Sequence, residues 1–329
     1  MRVRALVLLL CAGCGALSSG PGAPEHPPAS GLGPIVPWSD DTGLSWTSPY
    51  ILSDAARAFA HPAALVDGQA IDLWVEVKQG DARSIGHAHA DGFAAGFGAL
   101  EAWPIAKAPW AAGEPSSPAV VRTGEGLALY YLADGQIGLS IHPATGAPRA
   151  VAAPIYADPA APIRSLAAAL ADEAGDRVRL VFLVGDGPDA RIDEVVLSPQ
   201  DPSAAPVVHR AVVARPPWAE ALVDVGLRID TTPGGRRRQD VYLAGTLPQP
   251  STGDLGTGNA PGAIGAASRY LAAPEGGQGD PPLAVAPAPI LAGPPPPRGP
   301  CAVAYAGGVL LFYVARSGPR DAIGVARYE

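Results

Sequence analysis

The sequence has little with which to build a cross-linked or polyanion-binding protein. Of its 329 residues only 3 are cysteines, Cys11, Cys14 and Cys301. The first two fall in an apolar leader, so loss of the leader leaves Cys301 without a partner and excludes a disulfide framework. Lysine is confined to Lys78 and Lys107, and 23 Lys+Arg face 31 Asp+Glu for a formal net charge of -8. Such a chain has no electrostatic footprint for nucleic acid or for an anionic lipid surface. The one basic cluster, Arg236, Arg237 and Arg238, sits in a Gly-rich turn and is expected at a solvated hairpin tip. No apolar run reaches the roughly 20 residues of a membrane-spanning helix. Phosphate loops, nucleophile elbows, zinc-finger spacings and dinucleotide fingerprints are missing, so no cofactor is expected. What is present is 48% hydrophobic against 16% charged residues, enough to bury one large core or two small ones.

The chain opens with the basic Met1-Arg2-Val3-Arg4 and the apolar Ala5 to Leu10, then Ala12-Gly13 before Cys14. This is the layout of a secretory signal. Small residues directly before a cysteine resemble the bacterial lipobox, in which that cysteine is lipidated and becomes the mature N-terminus. The resemblance implies a lipid on Cys14, attachment to a bacterial membrane surface and, with Gly15 rather than aspartate next in line, sorting to the outer membrane. Cys11 stands where the lipobox has leucine. Two frames stay open beside it: an anchor on Cys11 itself, and ordinary cleavage near Ala16 or Ser19 that releases a secreted product. Residues 14–37 are rich in Gly, Pro and Ser, cannot bury a core, and are expected to form a flexible tether. Residues 38–329 then form the folded domain.

That domain repeats itself five times. Each unit has a first strand led by a proline or a small or polar residue, a Gly turn, an apolar-aromatic strand, and a third strand carrying Ile-Gly or its equivalent. In the first unit these are His61-Pro62 to Val66, Ile71 to Val77 and Ile85-Gly86-His87-Ala88; in the second, Ser117-Pro118 to Val121, Leu127 to Leu132 and Ile137-Gly138. The third unit, from Ser165, is degenerate, and its Leu166–Ala174 stretch has the Ala/Leu composition of a short helix; register favours a strand. The fourth runs from Ala221 through Ile264-Gly265 and the fifth from Pro300 through Ile323-Gly324. A period of roughly 50 to 60 residues with several short strands per unit predicts an all-β fold, a five-bladed propeller. The fifth unit lacks an outer strand, which Thr47-Ser48-Pro49-Tyr50-Ile51-Leu52 is expected to supply, closing the ring and covering an open edge.

Two resemblances attach to these motifs. Ser39-Asp40-Asp41-Thr42-Gly43-Leu44-Ser45-Trp46 resembles the Asp-box of sialidases, with Ser39, Asp41, Gly43 and Trp46 at defined positions; there the motif is a structural turn. The wider pattern resembles the five-bladed propellers of glycoside hydrolase family 43. That resemblance implies catalytic carboxylates at the inner-strand positions of the first three blades, but here those positions hold His61, Ser117 and, near the third, Ser165. Glycoside hydrolysis needs two carboxyl groups flanking the scissile bond. The sialidase arginine triad has no counterpart either. The family's fold is therefore expected without its catalytic set.

The candidate funnel-facing residues are His61, Ser117, Ser165 and Asp224. His87, His89 and Asp91 alternate along a strand and share a face, as metal ligands must, but are read as solvated strand-end residues, and no metal is assigned. Trp38, Trp103, Trp110 and Trp218 lie between strands, placed either to stack on sugar rings or to pack between blades. The expected function is a membrane-anchored, non-catalytic propeller that binds a glycan or a surface protein. The alternatives are a glycosidase using Asp54, Asp67, Asp224 or Glu220, and a structural envelope lipoprotein.

Overall fold

The computed structural model describes residues 35–37, 50–172, 174–202, 204, 206–248, 262–272, 280–293, 296–317 and 320–328. Cys14, Trp38 and the Asp-box residues Ser39, Asp41, Gly43 and Trp46 lie outside them. The second strand of each unit carries an apolar stretch, such as Leu180–Val184, in which every residue is buried. A strand buried on both faces must lie between two layers rather than against solvent. The fold meets that demand by stacking sheets face to face around an axis.

Blade 1 is β3 (Ala58–Asp67), β4 (Ala70–Gln79), β5 (Ala82–Ala90) and β6 (Glu101–Ala102); blade 2 is β7 (Ser116–Thr123), β8 (Gly126–Ala133), β9 (Gln136–Pro143) and β10 (Arg149–Ala150). Blade 3 is β11 (Ile163–Leu170), β12 (Val178–Val184), β13 (Arg191–Leu197) and β14 (Val207–Val213). Blade 4 is β15 (Ala221–Thr231), β16 (Arg237–Thr246) and β17 (Gly262–Tyr270), with β18 (Ala284–Val285) and β19 (Leu291–Gly293) both on β17. Blade 5 is β20 (Arg298–Tyr305), β21 (Gly308–Ser317) and β22 (Arg320–Tyr328). Its outer edge is completed from the front of the chain by β1 (Ile35–Pro37) and β2 (Tyr50–Leu52), both antiparallel to β22. The first strands touch in the order β3, β7, β11, β15, β20 and back to β3, so the five sheets close into a ring. The Ala/Leu-rich stretch from Leu166 is strand through Leu170, because pairing with β12 outweighs its helical propensity. The short fourth strands β6, β10, β18 and β19 have too few residues to carry a periodic signal.

Each blade interface has its own apolar cluster. Blades 1 and 2 meet around Trp74 and Tyr131, 2 and 3 around Tyr130 and Phe182, 3 and 4 around Val181 and Leu243, 4 and 5 around Tyr242 and Leu311, and 5 and 1 around Phe59 and Phe312. The repeated Ile-Gly of the third strand has a packing cause. A Cβ on Gly138 would lie 2.6 Å from the ring of Tyr131, and one on Gly324 would lie 2.8 Å from Tyr313. Glycine there lets an aromatic side chain of the second strand lie flat across the third. Trp218 takes the same role over Gly265.

Candidate functional site

The site grows out of a defect shared by the five axial strands. Each first strand slips register against its second, between Ala60/Ala63, Ser116/Ala119, Ile163/Ser165, Leu222/Asp224 and Arg298/Cys301. Such a bulge re-aims the residue at the slip. His61 and Ser117 adopt positive φ, 44° and 45°, and Gly299 has 56°; each is followed by proline. For His61 and Ser117 that conformation costs on the order of 1–3 kcal/mol and persists only when surrounding bonds fix it.

Those bonds form one polar cluster at an end of the axis. Nδ1 of His61 lies 2.8 Å from Oε2 of Glu76 on β4, and its Nε2 lies 3.5 Å from Oδ2 of Asp224 on β15. The same Glu76 oxygen accepts the Ser117 amide at 3.2 Å. Ser117 Oγ in turn accepts the Leu166 amide at 3.1 Å, which joins blades 2 and 3. The Ser165 hydroxyl donates to Asp224 Oδ1, and the Val225 amide donates to that same oxygen at 2.9 Å. Glu76, Ser117 and Ser165 are 0% exposed and Asp224 is 5% exposed. The cluster therefore ties the inner strands of blades 1 to 4 together through buried, reciprocally bonded groups.

Electrostatics fix its protonation. Burial works against ionised Glu76, but the hydrogen bond and charge of His61, with Lys78 and the Ser117 amide, outweigh it and bring its pKa to about 2. Burial likewise opposes a charged His61, and the Asp224 charge together with the Glu76 hydrogen bond overcomes it, so its pKa is raised. The two acids flanking His61 thus favour its protonated form. Glu76, ionised at any physiological pH, holds no proton to give to a leaving group.

Beyond this cluster runs an axial cavity of about 510 Å³, lined by the first strands of all five blades. His61, Asp224 and Gly299 bound one end. Small side chains such as Ala64, Ala119, Ala168 and Ala302 line it further along, and Arg122, Asp172, Asp230 and Arg237 lie at the other end.

Of the residues singled out from the sequence, His61 and Asp224 line the cavity, while Ser117 and Ser165 are buried behind them. Glu76 was not singled out, although a carboxylate between Val75 and Val77, after the apolar Leu73-Trp74-Val75, is the signal that marks it. Asp54 caps a turn by accepting the Ala56 and Arg57 amides, Asp67 meets Arg122 at a hairpin tip, and Glu220 is exposed; none lies in the polar cluster. His87 and His89 do share a face with Asp91. Both lie 2.9 Å from a single Asp72 oxygen, and Asp91 lies 3.3 Å from the far nitrogen of His89. No group able to hold a metal ion occurs among the described residues. Trp103 stacks between His87 and His142, with centroids at 4.8 and 5.2 Å, and edges onto Trp74. Trp110 joins the cluster between blades 1 and 2, so these tryptophans are packing residues. The arginine cluster does stand at the β15–β16 hairpin, with Arg236 exposed in the turn and 4.1 Å over the Tyr270 ring, but Arg238 is half-buried and bonds Asp240 at 2.9 Å, and Arg237 lines the cavity.

No family model matches the sequence, and no curated protein matches it. Solved structures do match in shape. A thermostable family-43 glycoside hydrolase aligns at TM-score 0.56 and 12% identity, covering 83% of this chain and 90% of that one. An α-L-arabinofuranosidase of Clostridium thermocellum ATCC 27405 aligns at TM-score 0.52 and 14% identity over 78% and 82%. A Podospora anserina α-L-arabinofuranosidase, solved with cellotriose, aligns at TM-score 0.54 and 12% identity over 90% and 95%. At such identities the likeness is one of fold, and it is the fold that the repeats implied: this chain is a five-bladed β-propeller similar to those of family-43 glycoside hydrolases and related arabinofuranosidases.

Proposed function

We propose that this propeller is a non-catalytic module that binds a glycan at the His61 end of its axial cavity, held at a bacterial envelope through a lipid on Cys14. The observation that carries the reading is the commitment of both carboxylates at that end. Glu76 bonds His61 and the Ser117 amide, and Asp224 bonds Ser165 and the Val225 amide and lies 3.5 Å from His61. Glycoside cleavage asks for a protonated carboxyl on one side of the bond and a free carboxylate or base on the other. A cavity of about 510 Å³ is within the range of small-molecule sites.

The competing reading is a hydrolase, favoured by two carboxylates flanking one imidazole and by the arabinofuranosidases among proteins of similar shape. One set of measurements separates them. Calorimetric titration with arabino- and xylo-oligosaccharides is expected to show binding that His61→Ala abolishes. Release of nitrophenol from aryl arabinofuranosides and xylosides is expected to stay at background. Turnover by the wild-type chain that disappears in Asp224→Asn would replace this reading with the hydrolase. The anchor is tested by palmitate-analogue labelling in cells, where equal labelling of wild type and Cys14→Ala removes it.

A further inference from the structure

The two ends of the axial cavity differ in chemistry. At the His61 end each charged group has a counter-charge at hand. At the far end Arg122 pairs outward with Asp67 at 3.5 Å, Asp230 pairs with Arg228 at 2.5 Å, and Asp172 accepts the amides of Asp176 and Arg177. Arg237 is different. It enters from the first position of β16, and its Nη2 donates to the carbonyl of Leu170 at 2.9 Å, across the boundary between blades 3 and 4. Its Nε and Nη1 are buried and meet no hydrogen-bond partner among the described residues, and no carboxylate there forms an ion pair with it. A guanidinium is always charged and carries donors only. Burying its donors without a partner is costly, and turning the guanidinium so that they face an anion in the cavity relieves that cost.

We propose that the Arg237 end of the cavity binds the carboxylate of a sugar acid. A guanidinium with free donors matches the acceptor oxygens of a planar carboxylate, and charge-assisted bonds of this kind are the strong ones. The small side chains along the channel leave room beside it for the ring that bears the carboxylate. The sugar half of this assignment rests on the reading of the cavity as a glycan site; the carboxylate half does not.

The test is calorimetric titration of the full mature chain with glucuronate, galacturonate, their neutral parents glucose and galactose, acetate and inorganic sulfate. Wild type is expected to bind a uronate at least tenfold more tightly than its neutral parent, acetate and sulfate. Arg237→Gln is expected to erase that preference, and Arg122→Gln to keep it. Should Arg237→Gln fail to fold, Arg237→Lys decides, since it keeps the charge but loses the Nε donor; weaker uronate binding supports the assignment and unchanged binding overturns it. Equal affinity for uronate and neutral parent, or sulfate bound as tightly as the uronate, also overturns it. A chain that binds neutral oligosaccharides but no uronate sinks the Arg237 assignment alone. One that binds uronate and no neutral glycan keeps it and sinks the His61 reading.

Discussion

Nδ1 of His61 lies 2.8 Å from Glu76, so a strained residue of the innermost strand is pinned by a fully buried acid of the strand beside it. The two titrations then set a stability window. The His61 pKa is raised above its ordinary 6.5, so its contribution is complete below 6.5 and is lost as pH rises through the raised folded value. The Glu76 pKa falls from 4.5 to about 2, so its contribution is complete above 4.5 and is lost as pH falls towards 2. The difference in melting temperature between wild type and Glu76→Gln should therefore be largest between pH 4.5 and 6.5 and shrink on either side. A difference that does not vary with pH would show that the pair does not titrate as a unit. Imidazole NMR signals should also show a lower His61 pKa in the variant.

A second buried group holds blades 3 and 4 together. Glu194 accepts from Arg179 at 2.6 Å and from both Gln239 and Arg269, at 2.7 and 2.8 Å, and Asp280 pairs with Arg179 at 2.8 Å. Removing one partner of a buried ion pair costs about 3–5 kcal/mol because the remaining charge is stranded. Glu194→Ala should lower unfolding free energy in urea by that order. A loss under about 1 kcal/mol would mean that the network contributes little beyond what an exposed ion pair does.

The aromatic rings lying across Gly138 and Gly324 leave no space for a methyl group. Overpacking of this kind costs about 1–3 kcal/mol. Gly324→Ala should fall in that range, and combining it with Tyr313→Ala should recover part of the loss to packing conflict. The double-mutant cycle checks this, and strict additivity would refute the contact.

Trp103 lies between the imidazoles of His87 and His142 and beside Trp74. Trp103→Ala should destabilise the fold by roughly 3 kcal/mol, while leaving saccharide affinity unchanged. Weakened binding at intact stability would restore the stacking role.

Much of the architecture was readable because its cause is repetitive. Proline after a bulge, an apolar second strand and glycine beneath an aromatic ring recur from blade to blade, and each leaves a mark in the residue order. The closing strand at Tyr50–Leu52 was readable because the fifth unit needed an edge partner. His61 and Asp224 were visible through their register in the inner strands. Glu76 was harder, because its neighbours describe an ordinary buried strand and only the fold brings the imidazole to it. Arg237 was hidden by its surroundings in the sequence: beside Gly234 and Gly235 it looks like the tip of a turn, whereas at the first position of β16 it reaches the Leu170 carbonyl and lines the cavity.

The pairing of β1 and β2 with β22 also decides how the molecule carries load. Tyr50 faces Gly324 in this seam, so residues from the two extremes of the described chain share one set of hydrogen bonds. A pull on the segment ahead of Ile35 reaches those bonds before any other part of the ring. The seam therefore takes such a load first, and because its partners are so far apart along the chain, joining them carries a high loop-closure cost.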